Sequence, residues 1–367
     1  MPSADFLVVG AGAAGASAAY ELAEHGSVIV LEQEAHPGFH ATGRSAALFS
    51  ETYGNATVRS LSRASRPFLA TPPDGFSQTP LLRPRGALFV AAEDELAALS
   101  AQAADEPQAF AAWSGEEARA RVQVLRPEVS AAALYEAGAM DIDVNALHQG
   151  FLRGLRQRGG QIVVEAGVEG LRRDGERWVA DTRVGAFAAS VVVNAAGAWA
   201  DRLAGRAGLD RLGLQPKRRT AALIDGPDGL DFGSWPMVID VGETFYFKPD
   251  AGQLLISPAD ETDTEPCDAQ PEEIDVAIAA DRVQAATTLS IRRIAHRWAG
   301  LRTFAPDRTP VCGFDPRAEG FFWLAGQGGY GIQTAPALAQ LTARLITGGG
   351  APDAMAAALS PARFHGG

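Results

Sequence analysis

Residues 6–32 read FLVVGAGAAGASAAYELAEHGSVIVLE. The run Phe6–Val9 is apolar, rich in β-branched residues and ends at Gly10, which predicts a buried strand. Residues 13–25 are rich in Ala, Leu and Glu and predict a helix closed by Gly26. Residues 27–32 (SVIVLE) predict a second strand. Two strands joined by a helix form a βαβ unit, so the sheet is expected to be parallel and doubly wound.

Gly10-Ala11-Gly12-Ala13-Ala14-Gly15 falls on the turn between strand and helix. Gly10 permits the tight turn, and Gly12 lets the backbone approach a pyrophosphate at the positive helix end. Gly15 lets helix and strand pack closely. Glu32 lies 22 residues beyond Gly10. A carboxylate there can accept from both ribose hydroxyls and would repel a 2′-phosphate, which disfavours NADP.

Three further segments extend the pattern. His40-Ala41-Thr42-Gly43-Arg44-Ser45-Ala46-Ala47 follows the second strand and offers hydroxyls and a guanidinium fork to a pyrophosphate. Val191 to Trp199 (VVVNAAGAW) is a strand running into small residues, and Gly326 to Thr334 (GQGGYGIQT) is a Gly-rich loop entering a helix. Small-residue approaches at several places suit a cofactor as long as FAD. The last helix would aim its positive end at the flavin and favour an anionic reduced ring.

Elsewhere, residues 50–140 hold the Pro-rich segment 71–75, the apolar Leu88–Ala91 and two Ala-rich helices. Asp143 is a candidate cap for a helix to Arg158, ended by Gly159-Gly160. Residues 161–165, 177–182 and 190–194 predict strands, with a turn at Asp174-Gly175. Residues 218–257 alternate as antiparallel strands, 272–293 predict a helix, 321–325 a buried strand and 334–347 a helix. The acidic run 259–273 reads as an exposed loop without chemistry. The expected fold is α/β: a Rossmann-like FAD-binding domain (1–49, 141–215, 296–367) and an α+β substrate domain on an antiparallel sheet (50–140, 216–295).

A net charge of −12 argues against nucleic acid and against an anionic membrane surface. Phe6–Val9 is too short to span a bilayer, and no signal segment precedes it. Cys267 and Cys312 form no metal or disulfide pattern, so a reducing, cytoplasmic setting and no metal are expected.

These motifs together resemble the D-amino-acid oxidase and sarcosine/glycine oxidase superfamily, and within it the FAD-dependent D-arginine dehydrogenases. The likeness runs through LVVGAGAAGAS (7–17), HPGFHATGRSAA (36–47), DIDVNALHQGFLRGLR (141–156), VVVNAAGAWAD (191–201), LGLQPKRR (212–219), YFKPDAGQLL (246–255), WAGLRTF (298–304) and EGFFWLAGQGGYGIQT (319–334). It implies non-covalent FAD, since neither cysteine falls at a flavin-linking position. It adds Val168, Ala196, Gly197, Trp199, Gly300, Arg302, Gly328, Gly329, Tyr330, Gly331, Ile332, Gln333 and Thr334 to the cofactor contacts.

The resemblance further implies that Arg219, Arg302 and Tyr246 hold a substrate carboxylate. Tyr53 would sit on a mobile loop, about 50–56, over the site, and Gly329 would offer its carbonyl to an α-amino group. Leu48, Ala87 and Met237 would shape the side-chain pocket. As aligned, Leu48 replaces a histidine and Ala87 a glutamate, so a neutral, apolar side chain is expected in place of a cationic one. By residue type alone, Arg302 also suits a structural ion pair, Arg219 at the end of Lys217-Arg218-Arg219 a solvated face, and Tyr246 a core position.

The implied activity is oxidative deamination of an amino acid, with hydride transfer from Cα to flavin N5 and release of a 2-oxo acid and ammonia. His40 and His148 are candidate bases by type only. Alternatives are an oxidase or dehydrogenase of sarcosine, glycine or a cyclic imino acid, a flavin-binding subunit without a substrate site, and a nicotinamide dehydrogenase. The sequence leaves open the acceptor (oxygen or a quinone), the stereochemistry, and monomer against homodimer.

Overall fold

In the computed structural model, which describes residues 1–349 and 353–364, the opening stretch forms the expected unit. The strand Ser3–Val9 lies between two parallel neighbours, Val28–Leu31 and Gly185–Asn194. Phe6 and Val8 pack on one side of this sheet and Leu7 and Val9 on the other, and all four are buried. That is why the strand reads as an unbroken apolar run: both faces are covered. One face carries the helices Ala13–Leu22, Val144–Gln157 and Gly331–Ile346. Leu203, on the helix Ala200–Arg206, packs on the other with Leu212 and Leu214.

The sheet continues on both sides. Gln161–Val163 pairs parallel with Val28–Leu31, and Phe321–Ala325 pairs parallel with the end of Gly185–Asn194. The hairpin Val168–Asp174 and Arg177–Thr182 adds antiparallel strands at the Gly185 end. The strand before the Asp174-Gly175 turn is therefore Val168–Asp174, and the one starting at Gln161 stops at Val163.

The second sheet runs from Gln327–Gly328 through Ile294–Phe304, Gln215–Ile224, Gln253–Ser257, Tyr246–Asp250, Met237–Asp240, Ala87–Ala91 and Ala132–Glu136 to Ala111–Ser114. It is antiparallel except where Met237–Asp240 pairs parallel with Ala87–Ala91. Helix Glu273–Ala286 covers it through Val276, Ala279 and Val283. The boundary expected at 295/296 falls inside the strand Ile294–Phe304, whose pairing lies in this second sheet. Residues 350–352 and 365–367, within the last expected segment, lie outside the described residues.

Several expected elements differ in extent. The first helix ends at Leu22, and turns occupy the residues up to Gly26. The helix expected over 272–293 ends at Ala286, because the chain there pairs with 124–126: Ala286 O accepts from Arg126 N, and Thr288 N donates to Val124 O. The last long helix starts at Gly331 rather than 334. The helix Ala56–Ala70, with Pro67 inside it, was not expected. Its Ser and Pro content disfavours helix locally. Packing decides instead: Ser62 accepts from Gln333 Nε2 at 2.7 Å and Ser65 from Ala337 N at 3.1 Å, both on the helix Gly331–Ile346. Among the described residues no helix is long and apolar enough to cross a membrane, and no His, Cys, Asp and Glu cluster could hold a metal.

Candidate active site

A cavity of about 360 Å3 runs between the two sheets. Its first wall is the Gly-rich turn. Gly10 adopts φ +103°, and a Cβ on Gly15 would stand 1.8 Å from the Gly10 carbonyl oxygen, so no larger residue fits there without moving the turn. Gly10, Gly12 and Ala14 line the cavity, whereas Gly15 serves the packing behind it. Glu32 also lines it, and its carboxylate accepts from Ala11 N and Glu34 N, each at 2.9 Å. Burial raises the Glu32 pKa, and these two amides pull it back. One lone pair on each oxygen remains for further donors.

Thr42, Arg44, Ser45 and Ala46 line the next stretch. Thr42 Oγ1 accepts from Ala13 N at 2.9 Å, satisfying an otherwise open amide of the first helical turn. The Arg44 guanidinium donates to the carbonyls of Ala269 and Ala299 and to the Asp268 carboxylate, which fix it at the cavity wall. Val168, Ala196, Gly197 and Trp199 close this end.

A further wall carries two guanidiniums and a phenol. Arg219, Tyr246, Gly300, Arg302, Gly328, Gly329, Gly331 and Ile332 all face the cavity. Lys217 stands opposite Arg302, and Arg219 opposite Gly300, across paired strands. Arg302 Nη1 donates to the Tyr53 hydroxyl at 2.9 Å. Burial works against the Arg302 charge, but Tyr53, Tyr246 and Glu261 hold its pKa above the usual arginine value. Arg302 has no ion pair among the described residues, so the structural-pair reading does not apply to it. A Cβ on Gly329 would lie 2.9 Å from Arg302 Nη1 and would displace the guanidinium. Arg219 is buried rather than solvated, with Nε on the Asp260 carbonyl at 2.7 Å and Nη2 on Glu261 at 3.3 Å.

The remaining expected residues stand behind these walls. Tyr53 meets Tyr330 edge-on at 4.9 Å, and burial pushes the Tyr330 phenol up to about 12. Gln333 is buried and holds Ser50 N, Ser50 O and Ser62 Oγ. Thr334 bonds back to Tyr330 O, Ala47 N donates to Ser45 Oγ, and Gly43 N donates to Gly38 O. Leu48 and Met237 pack in the apolar cluster around Tyr246 and Ala221, and Ala87 stands fully buried opposite Met237 and Glu136. His148 Nε2 bonds Ala11 O away from the cavity. His40 lines the cavity and pairs with Glu34 at 2.8 Å.

Sequence reasoning missed Gln33, Arg202 and Arg206 as wall residues. Arg202 and Arg206 are four apart on one helix, a spacing that puts both on the same face and was readable beside the NAAGAWAD run. Two buried polar atoms on the cavity's wall residues, His40 Nδ1 and Gln327 Nε2, have no protein partner. Such atoms are costly unless a ligand meets them. Together with the Gly-rich turn at a helix N-terminus and the Glu32 carboxylate, they fit a long, polar dinucleotide cofactor.

A parallel dinucleotide-binding sheet and an antiparallel sheet sharing one such cavity define a two-sheet flavoprotein. The chain belongs to the FAD dependent oxidoreductase family (DAO), which it matches over residues 5–345. Glycine oxidase of Geobacillus kaustophilus is 25% identical over 374 residues, covering 93% of this chain and 92% of that protein. Its crystal structure aligns with a TM-score of 0.85 over 98% of this chain and 99% of that one. L-proline dehydrogenase from P. horikoshii shares the fold with a TM-score of 0.86 at 21% identity, over 100% of this chain and 99% of that one. A shorter match, 28% identical over 180 residues, joins 44% of this chain to 35% of FAD-dependent oxidoreductase domain-containing protein 1 of Xenopus laevis. The superfamily resemblance read from the sequence therefore holds.

Proposed function

We propose that the protein oxidatively deaminates an amino acid, a D-amino acid with a neutral or apolar side chain, to a 2-oxo acid and ammonia. The observation that carries this reading is Arg302, a cation without an ion pair among the described residues, facing the cavity beside Arg219 and Tyr246. A carboxylate leaving water needs such a guanidinium fork and hydroxyl donors. When bound, FAD supplies the acceptor for the hydride lost from the amine-bearing carbon.

The protein's own part is placement. Arg302 and Arg219 take the carboxylate, Tyr53 and Tyr246 add hydroxyls, and the Gly329 carbonyl receives the amine, which fixes the reacting carbon. Phe304, Tyr330 and Tyr53 pack as an aromatic group behind Arg302 and keep water from its back. The side-chain chamber is apolar where Ala46, Ala221 and Tyr246 meet Leu48 and Met237. Ala87 supplies no carboxylate for a cationic side chain, and the likeness to D-arginine dehydrogenases supports the D configuration.

Flavin attachment is non-covalent in this reading. Cys312 is buried, held by Thr342, and burial pushes its thiol up to about 12; Cys267 is exposed, and neither lines the cavity. The relation to glycine oxidase favours a second reading, a small amine such as glycine or sarcosine. Anaerobic bleaching of the flavin by a panel of D- and L-amino acids, glycine, sarcosine and proline separates the two. The first reading predicts fastest reduction by a D-amino acid with an apolar side chain. Fastest reduction by D-arginine, or by none of the panel, would overturn it.

A further inference from the structure

The acidic run 259–273 is tied by its charges to the strand Gln215–Ile224 and to Arg44. Asp263 pairs with Lys217, Glu272 with Arg218, and Asp268 with Arg44. Asp260 accepts from Thr220 N at 2.7 Å and from Thr220 Oγ1 at 3.2 Å, which registers the run on the strand that carries Arg219. Glu261 is the member that meets the substrate end. Its Oε1 accepts from Arg219 Nη2 at 3.3 Å and from Arg308 Nη2 at 2.9 Å, and its Oε2 accepts from Arg308 Nη1 at 2.9 Å. Arg308 is fixed in turn by lying 3.9 Å over the Phe304 ring. Partial burial opposes the Glu261 charge, yet Arg308, Arg219 and Arg302 hold its carboxyl below the ordinary range.

Two guanidiniums, Arg219 and Arg302, face the cavity from adjacent strands. Glu261 divides its single charge between Arg308 and Arg219, and so neutralises the first of them in part. Arg302 has a phenol partner and no carboxylate among the described residues. At this end of the cavity Arg302 is therefore the guanidinium left without a carboxylate among the described residues, which suits one substrate carboxylate. Were Arg219 released, two cations side by side would suit two carboxylates, because each desolvated anion needs its own fork.

We infer that Glu261 is a specificity-determining residue: by holding Arg219 and neutralising it in part, it restricts the site to substrates with a single carboxylate. The inference rests on the amino-acid reading above. Glu261 acts through Arg219, so its test must separate charge matching from simple bracing of the loop.

The test uses the flavin-loaded protein and the change in flavin absorbance on titration with propionate and with succinate. The wild type is expected to bind propionate more tightly than succinate. Glu261→Gln should move the ratio of the two dissociation constants toward succinate by about tenfold, and Glu261→Asp should restore it. Should Glu261→Gln not take up flavin, Arg308→Gln tests the same point from the other side. There Glu261 turns its whole charge on Arg219, and the preference for propionate should persist or grow. An unchanged ratio in Glu261→Gln, equal weakening of both anions, or loss of preference in Arg308→Gln overturns this inference alone. A wild type that responds to neither anion and is reduced by no amino acid overturns the functional reading, and this inference with it.

Discussion

Arg302 combines burial, a phenol partner and a neighbouring backbone that tolerates no side chain at Gly329. Its removal should spare the fold, because no carboxylate is left unpaired. We expect Arg302→Ala to retain flavin while kcat/KM falls by roughly 100- to 1000-fold, with Arg302→Lys recovering little, since a point charge does not replace a fork. Flavin absorbance of the purified variant and single-turnover reduction read the two effects separately. A second residue-scale prediction concerns His148, whose pKa is lowered by burial, partly offset by its bond to Ala11 O. The unfolded chain takes up this proton near pH 6.5, and the folded chain only at lower pH. The resulting stability is full above 6.5 and is lost as pH falls through the folded value. Urea midpoints at pH 7.5 and 5.5 should therefore differ more in the wild type than in His148→Gln.

Among the elements, the segment carrying Tyr53 is pinned at its base from two sides. Glu136 accepts from Ser50 Oγ at 2.8 Å, Thr52 Oγ1 at 2.9 Å and Glu51 N at 3.2 Å, and Gln333 holds the Ser50 backbone. Glu136→Ala removes three acceptor contacts at a buried position, at a cost of about 1–3 kcal/mol. We expect faster amide exchange over 50–55 and a raised KM with a smaller change in kcat, because Tyr53 reaches Arg302 only while its segment is held. Unchanged exchange there would show that Gln333 alone suffices. The element scale also shows what sequence could miss. Ala56–Ala70 contains Pro67, and its helical state depends on the side chains of Ser62 and Ser65 meeting the helix Gly331–Ile346. Nothing within residues 56–70 announces that partner.

For the whole molecule, the legible part was whatever chemistry is local. The Gly-rich turn, its flanking strands and Glu32 lie within one βαβ unit, so pattern and spacing carried them. The cavity-facing positions of Arg219, Tyr246 and Arg302 entered through resemblance to a family, since residue type alone also allowed a surface or core role. The acidic run 259–273 was read as an inert loop because its meaning lies in partners far along the chain. Asp268 answers Arg44, and Glu261 answers Arg308 and Arg219. No periodicity encodes such meetings; only the closed fold brings them together.

The placement of Ser3–Val9 in the middle of its sheet has a further consequence for biosynthesis. Made before either neighbour, it can pair early with Val28–Leu31, but its other neighbour, Gly185–Asn194, follows more than 150 residues later in the chain. That neighbour in turn waits for Phe321–Ala325, more than 100 residues further on. Parallel partners cannot be joined by a tight hairpin, so an apolar edge stays open until the later strands are made. Polypeptides stalled before residue 321 are therefore expected to be degraded or to aggregate, without accumulating as a folded half-enzyme.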